Sequence, residues 1–186
     1  MALTYSSPST PGAQAADFNL LGVDGKTYSL TDFKDAKALV VLFMCNHCPY
    51  VIAVQDRINA LAKSYGTQGV KLIGINSNDV VNYPDDNFEN MKKCAKEKGY
   101  IFPYLFDESQ AVAKAYNAAC TPDPYLYENV GGKFLLRYQG RIDDSWKDEK
   151  AITRRDLAEA IDAVLSGKPV KTDQKPSMGC NIKWKK

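Results

Sequence analysis

One run of residues constrains the fold more than any other. Ala38-Leu-Val-Val-Leu-Phe-Met44 contains no polar side chain. A strand with one face in water alternates apolar and polar positions. This one does not, so both faces are to be covered, as in the centre of a parallel sheet. Downstream, Val51, Val54, Ile58, Leu61, Ala62 and Tyr65 recur at spacings of three and four, an amphipathic helix closed by Gly66. Gly69-Val-Lys-Leu-Ile-Gly-Ile75 then reads as a second buried strand. Strand, helix and strand in that order make a crossover unit of an α/β domain.

The flanks extend this unit. Phe18 to Val23 and Lys26 to Leu30 form a hairpin in which the Asp24-Gly25 pair supplies the positive φ angles of a tight two-residue turn. A helix over 86–98 presents Phe88, Met91, Cys94 and Ala95 on one face, with Cys94 as core filler. A short strand over 102–106 and a short helix over 109–116 follow. Tyr125 to Tyr127 and Lys133 to Tyr138 pair around Gly131-Gly132 as a second hairpin. Thr153-x-x-Asp156 has the form of a capping box before a helix carrying Leu157, Ile161, Val164 and Leu165. The expected organisation is a flexible lead-in over 1–15, one α/β domain over 16–170, and an aperiodic tail over 171–186 lying on or near it. Lys183, Lys185 and Lys186 read as a solvated terminus.

Composition narrows the function classes. The 186 residues carry 24 Lys+Arg and 22 Asp+Glu, a net charge of +2. That balance lacks the basic stripe of a nucleic-acid clamp, despite 11 tyrosines. The longest apolar run is far short of a membrane span. The start, Met1-Ala-Leu-Thr-Tyr-Ser-Ser-Pro, has neither the basic region nor the apolar stretch of a secretory leader. A cytoplasmic chain with reduced thiols is therefore expected, with no nucleic-acid or membrane partner. Five cysteines, an odd number, argue against a closed disulfide framework.

Chemistry concentrates at Cys45-Asn46-His47-Cys48-Pro49, where strand gives way to helix. Two cysteines at this spacing can close a small disulfide ring, and a helix N-terminus favours thiolate over thiol. Cys45 is placed as the attacking thiolate and Cys48, one turn inward, as the resolving thiol. A protonated His47 between them would add positive charge near Cys45. A zinc site wants four ligands, and this chain has one His and no second close cysteine pair, so redox chemistry outweighs metal binding. Thr121-Pro122 precedes a strand, where proline cannot donate to a sheet ladder. Judged by sequence alone, a trans bond in a turn is the expectation. Cys120 beside it is either a further redox thiol or a packing residue. Cys180, in the tail, is either an extra resolving thiol or inert. Asp143-Asp144 with Glu149 reads as an exposed charged loop.

Together these stretches resemble the thioredoxin superfamily, and within it the peroxiredoxin-like redoxins of the alkyl hydroperoxide reductase/thiol-specific antioxidant group that carry a C-x-x-C. The matching pieces are Ala16-Asp-Phe, Asp24-Gly-Lys-x-Tyr-Ser-Leu30, Phe43-Met-Cys-Asn-His-Cys-Pro-Tyr50, Ile75-Asn-Ser-Asn-Asp79, Cys120-Thr-Pro-Asp123 and Pro176-Ser-Met-Gly-Cys-Asn-Ile-Lys-Trp184. The resemblance implies a thioredoxin-like fold, a central mixed β-sheet flanked by helices with an N-terminal β-hairpin extension. It implies Cys45 attacking, Cys48 resolving, Pro122 as a cis-proline, and Asn46, His47 and Thr121 tuning the site or binding substrate. Thiol–disulfide exchange with protein or small-molecule thiols is then the activity, fed by an unidentified reducing partner. The only redox group is the Cys45–Cys48 disulfide, with no organic cofactor and no metal. Two alternatives stay open. A thiol peroxidase would reduce peroxide, although Cys45 and Val41 stand where peroxiredoxins carry their hydroxyl residue and proline. A metallochaperone of this fold would use a distant His, and the single His here lies inside the motif.

Overall fold

The computed structural model describes residues 3–186. In it the apolar run becomes the strand β4 (Ala38–Phe43), buried at every position. Its neighbours explain why no residue could be polar. The strand β5 (Val70–Asn76) pairs with it in parallel and β8 (Asp123–Val130) antiparallel. Beyond β5 lie β6 (Tyr104–Phe106) and the hairpin β2 (Asn19–Gly22) and β3 (Thr27–Ser29); beyond β8 lies β9 (Lys133–Gln139). The seven-stranded order is β3-β2-β6-β5-β4-β8-β9, a mixed sheet.

Both faces are covered. Ala38, Val40 and Leu42 pack with Val51, Val54 and Ile58 of α1 (Pro49–Gly66) and with Leu157 and Ile161 of α4 (Asp156–Leu165). Leu39, Val41 and Phe43 face the other way, onto Ile73, Ile75, Tyr125 and the helix α3 (Ala111–Ala115) with Tyr116. Each such side chain contributes about 1.5–3 kcal/mol by leaving water. The fourth helix, α2 (Phe88–Glu97), begins at Asn87, whose side chain accepts the Asn90 N–H.

A second, three-stranded sheet joins the chain's two ends to the site. It runs β1 (Leu3–Tyr5), β10 (Met178–Asn181), β7 (Cys120–Thr121). The lead-in is therefore not loose. Leu3 lies opposite Cys180, and the N–H groups of Ser6, Gly12 and Ala15 donate to Ser177, Leu136 and Phe134. A segment without periodicity still orders when another strand takes up its backbone groups.

Three local expectations give way to tertiary contacts. In the first hairpin only Gly25 is left-handed (φ +82), and the last paired residues are Leu21 and Thr27, so the turn is longer than two residues. The Asp24 carboxylate holds it, accepting from Lys26 N and Tyr28 Oη. No capping box forms before α4: Arg155 is the N-cap, and Thr153 donates through N and Oγ1 to Asp144. Asp156 instead sits in the first turn, where the helix dipole favours a carboxylate, and accepts from Arg141 Nε at 2.9 Å. Asp143 is not exposed either. It is buried against Arg57 of α1, whose Nη1 donates to its Oδ2 at 2.6 Å, while further guanidinium bonds reach the Ser145 and Trp146 carbonyls. Replacing Arg57 with Ala would strand a buried carboxylate. The expected loss is about 3–5 kcal/mol in denaturant unfolding, with a smaller loss in the Arg57→Ala/Asp143→Ala double variant.

Candidate active site

The strand β4 and the helix α1 deliver the cysteines. The Met44 N–H still donates to Ile75 O at 2.9 Å, so Cys45 is the first residue released from the sheet. The helix opens with Pro49 at its first position and Cys48 as N-cap, the Cys48 carbonyl accepting the Ile52 N–H at 2.9 Å. Proline suits that position because its missing N–H would be unpaired there anyway. The positive end of α1 is thus at Cys48, not at Cys45 as the spacing alone suggested.

The thiol acidities follow this placement. Cys48 is pulled down to about 5, chiefly by a hydrogen bond from the Cys45 thiol, against the opposing effect of burial. The Cys180 thiol, Thr121 and the Val51 N–H also favour its thiolate. Cys45 is pushed well up by that same hydrogen bond, by burial and by the negative charge of Asp86. These surroundings favour the thiolate form at Cys48 and the thiol form at Cys45.

The Thr121–Pro122 bond is cis, and it sets Thr121 against both sulfurs. Thr121 Oγ1 lies 3.5 Å from Cys45 Sγ, and Thr121 O lies 3.2 Å from Cys48 Sγ, accepting from that thiol when it is protonated. Over this loop lies β10. Cys180 is opposite Thr121 in the ladder, and its Sγ is 2.8 Å from Cys48 Sγ. Cys45, Cys48 and Cys180 are all buried. The tail continues inward: Ile182 donates to Ala119 O, and Lys183, buried rather than solvated, donates through its backbone to Asn78 Oδ1. Its Nζ reaches Asn181 Oδ1 at 2.7 Å and lies over the Tyr83 ring.

His47 pairs with a carboxylate rather than with a sulfur. Its Nδ1 meets the fully buried Asp86 at 2.7 Å, and Asp86 raises its pKa more than burial lowers it. Asp86 also accepts from Asn46 N and Asn78 Nδ2. Asn46 is tied by its side chain to Asp85 O and Tyr104 Oη, which fixes the 45–48 loop. Donor atoms of Cys45, His47 and Asp86 lie within 4.8 Å of one another, three potential ligands where a structural zinc site takes four. Cys120 points elsewhere: burial and then Asp123 push its thiol up, and its Sγ faces Pro122 O at 3.9 Å. Burial holds Asp123 itself up at about 7. Cys94, half-buried on α2, lies 3.8 Å from Tyr100 Oη and well outside this cluster of contacts.

Sequence reasoning missed Asp86 and Asn78. Asp86 was hidden at the start of an amphipathic segment. Asn76-Ser-Asn-Asp79 gave a signal, polar residues directly after a buried strand, at the end where α/β sheets place their sites.

Residues 11–144 match the AhpC/TSA family model. The chain belongs to the AhpC/TSA family. A solved structure of an uncharacterized conserved protein from Geobacillus kaustophilus is 46% identical, covers 100% of this chain and 97% of its own, and superposes with a TM-score of 0.94. A putative thiol:disulfide interchange protein DsbE from Chlorobium tepidum shares the thioredoxin fold at 21% identity, with a TM-score of 0.65 over 84% of this chain and 98% of its own. Thiol-disulfide oxidoreductase ResA from Geobacillus thermodenitrificans is 29% identical over 120 residues, 64% of each chain. This AhpC/TSA chain thus aligns with a little under two thirds of that relative's length. Among its described residues no helix is long and apolar enough to cross a membrane.

Proposed function

We propose that this AhpC/TSA protein is a thiol–disulfide oxidoreductase whose exchanging pair is Cys45 and Cys48. The observation that carries the reading is geometric: both sulfurs of the C-x-x-C meet Thr121, beside cis Pro122, at the mouth of α1. The Cys48 thiolate attacks a substrate disulfide, expelling one substrate thiolate and forming a mixed disulfide. Cys45 then attacks Cys48 Sγ, releases the second substrate thiol and closes the Cys45–Cys48 bridge. These roles reverse the order expected from spacing, because the helix begins at Pro49. Depressing the Cys48 thiol stabilises the reduced form, which makes the bridged form the stronger oxidant.

The name of the ResA relative supports thiols and disulfides as substrates. A partner thiol protein or a small thiol closes the cycle, with cysteine sulfur carrying the electrons. The odd cysteine count suits a reducing compartment, so the cytoplasm is the proposed location. In glutathione buffers the protein should form one reversible disulfide per chain, and it should speed reduction of a model protein disulfide by dithiothreitol. Turnover equal to that of dithiothreitol alone would remove the proposal.

A second reading, peroxide reduction, is favoured by the same thiolate with Cys180 beside it. Peroxide would oxidise Cys48 to a sulfenic acid, and a neighbouring thiol would condense with it, releasing water. Stopped-flow oxidation no faster than that of a free thiol rules this out.

A further inference from the structure

We infer that Cys180 is a third redox thiol, and that the disulfide formed on Cys45–Cys48 passes by intramolecular exchange to Cys48–Cys180. Cys48 is the shared sulfur. Cys45 is its partner in the C-x-x-C, and Cys180 Sγ stands 2.8 Å from it, closer than two unbonded sulfurs ordinarily pack. Cys180 is held there by its whole strand. It is opposite Thr121 on one side and Leu3 on the other, and Ile182 and Lys183 anchor the residues that follow.

The inference rests on the proposed dithiol exchange. Cys180 attacks Cys48 Sγ; the Cys45–Cys48 bond breaks as the Cys48–Cys180 bond forms, and Cys45 leaves. One disulfide and one thiol stand on each side, so no oxidant or reductant is consumed. The proton lost by Cys180 ends on Cys45.

The surroundings favour that direction. Burial and the Cys48 thiolate hold the Cys180 thiol up at about 12 in the reduced protein, while Lys183 acts to lower it. Once Cys48 is in a disulfide, its negative charge is gone and Lys183 remains. With Cys48 in a disulfide, burial and Asp86 still favour the thiol form of Cys45, so the departing sulfur takes the proton. Exchange would also add a covalent bond to β10, a strand that its backbone pairing already seats over the loop.

The test is disulfide mapping by mass spectrometry on full-length protein, oxidised with oxidised glutathione, acid-quenched and alkylated. Wild type should yield Cys48–Cys180 peptides with Cys45 alkylated. The Cys45→Ser variant should still form the Cys48–Cys180 bridge, and Cys180→Ser should shift all oxidised protein to Cys45–Cys48. Circular dichroism of each variant verifies folding. A wild type containing only Cys45–Cys48, with no intramolecular bridge in Cys45→Ser, overturns the relay and leaves the oxidoreductase reading standing. A wild type that forms no disulfide at all overturns both.

Discussion

Substituting Cys48 with Ser should abolish disulfide exchange, lowering turnover on the order of 10³-fold or more, the scale on which loss of a covalent nucleophile acts. The expectation follows from where α1 begins. Cys48 is the N-cap residue, and its sulfur lies 2.8 Å from Cys180 Sγ and 3.2 Å from Thr121 O. Serine in its place cannot ionise near neutral pH. Replacing Cys45 acts differently, because attack survives and resolution suffers. Cys180 touches Cys48 as well, so Cys45→Ser alone retains an internal route. The Cys45→Ser/Cys180→Ser double variant should accumulate mixed disulfides with substrate, visible on non-reducing gels. If Cys48→Ser accumulates those adducts instead, the attacking sulfur is Cys45 and the assignment is reversed.

Gly179→Ala should unseat β10 and expose the sulfurs. A Cβ at Gly179 would fall inside the Thr121 carbonyl group, a backbone clash that no side-chain rotation relieves. Glycine is required there by close approach of two backbones, not by a left-handed φ. The strand must therefore lift from β7. Alkylation of Cys48 should accelerate at least about tenfold in the reduced protein, an RT-scale loss of roughly 1.4 kcal/mol or more, within the usual range for overpacking. Gly66→Ala, at the end of α1 with open space around it, serves as the control and should leave alkylation unchanged. Equal rates in wild type and Gly179→Ala would mean that β10 does not cover the site.

Much of the fold was legible because it is local. The unalternating run at 38–44 and the helical spacing from Val51 to Tyr65 each fix an element without knowledge of the rest, and together they place the cysteines at a strand–helix junction. What escaped depends on distant partners. Nothing near Asp143 announces that Arg57 will bury it, and nothing in the aperiodic tail announces that Gly179 and Cys180 will pair with Thr121. One feature of the site is local after all: Pro49 marks the first helical position, which makes Cys48 the N-cap. Asp86 could not be read, since its grip on His47 and on the Asn46 N–H joins a loop to a separate helix entrance.

The most direct measurement is the pH titration of the reduced protein, by thiolate ultraviolet absorbance and by mapped alkylation. The account places a midpoint near 5 on Cys48, against an unfolded thiol near ~8.5. Because the folded value is the lower, the thiolate's stabilising contribution is complete above the unfolded value and is lost as pH falls through the folded one. The Cys45→Ala variant, lacking the largest contributor, should titrate at higher pH. A midpoint in the ordinary thiol range, or first alkylation at Cys45, would contradict the placement of the charge on Cys48.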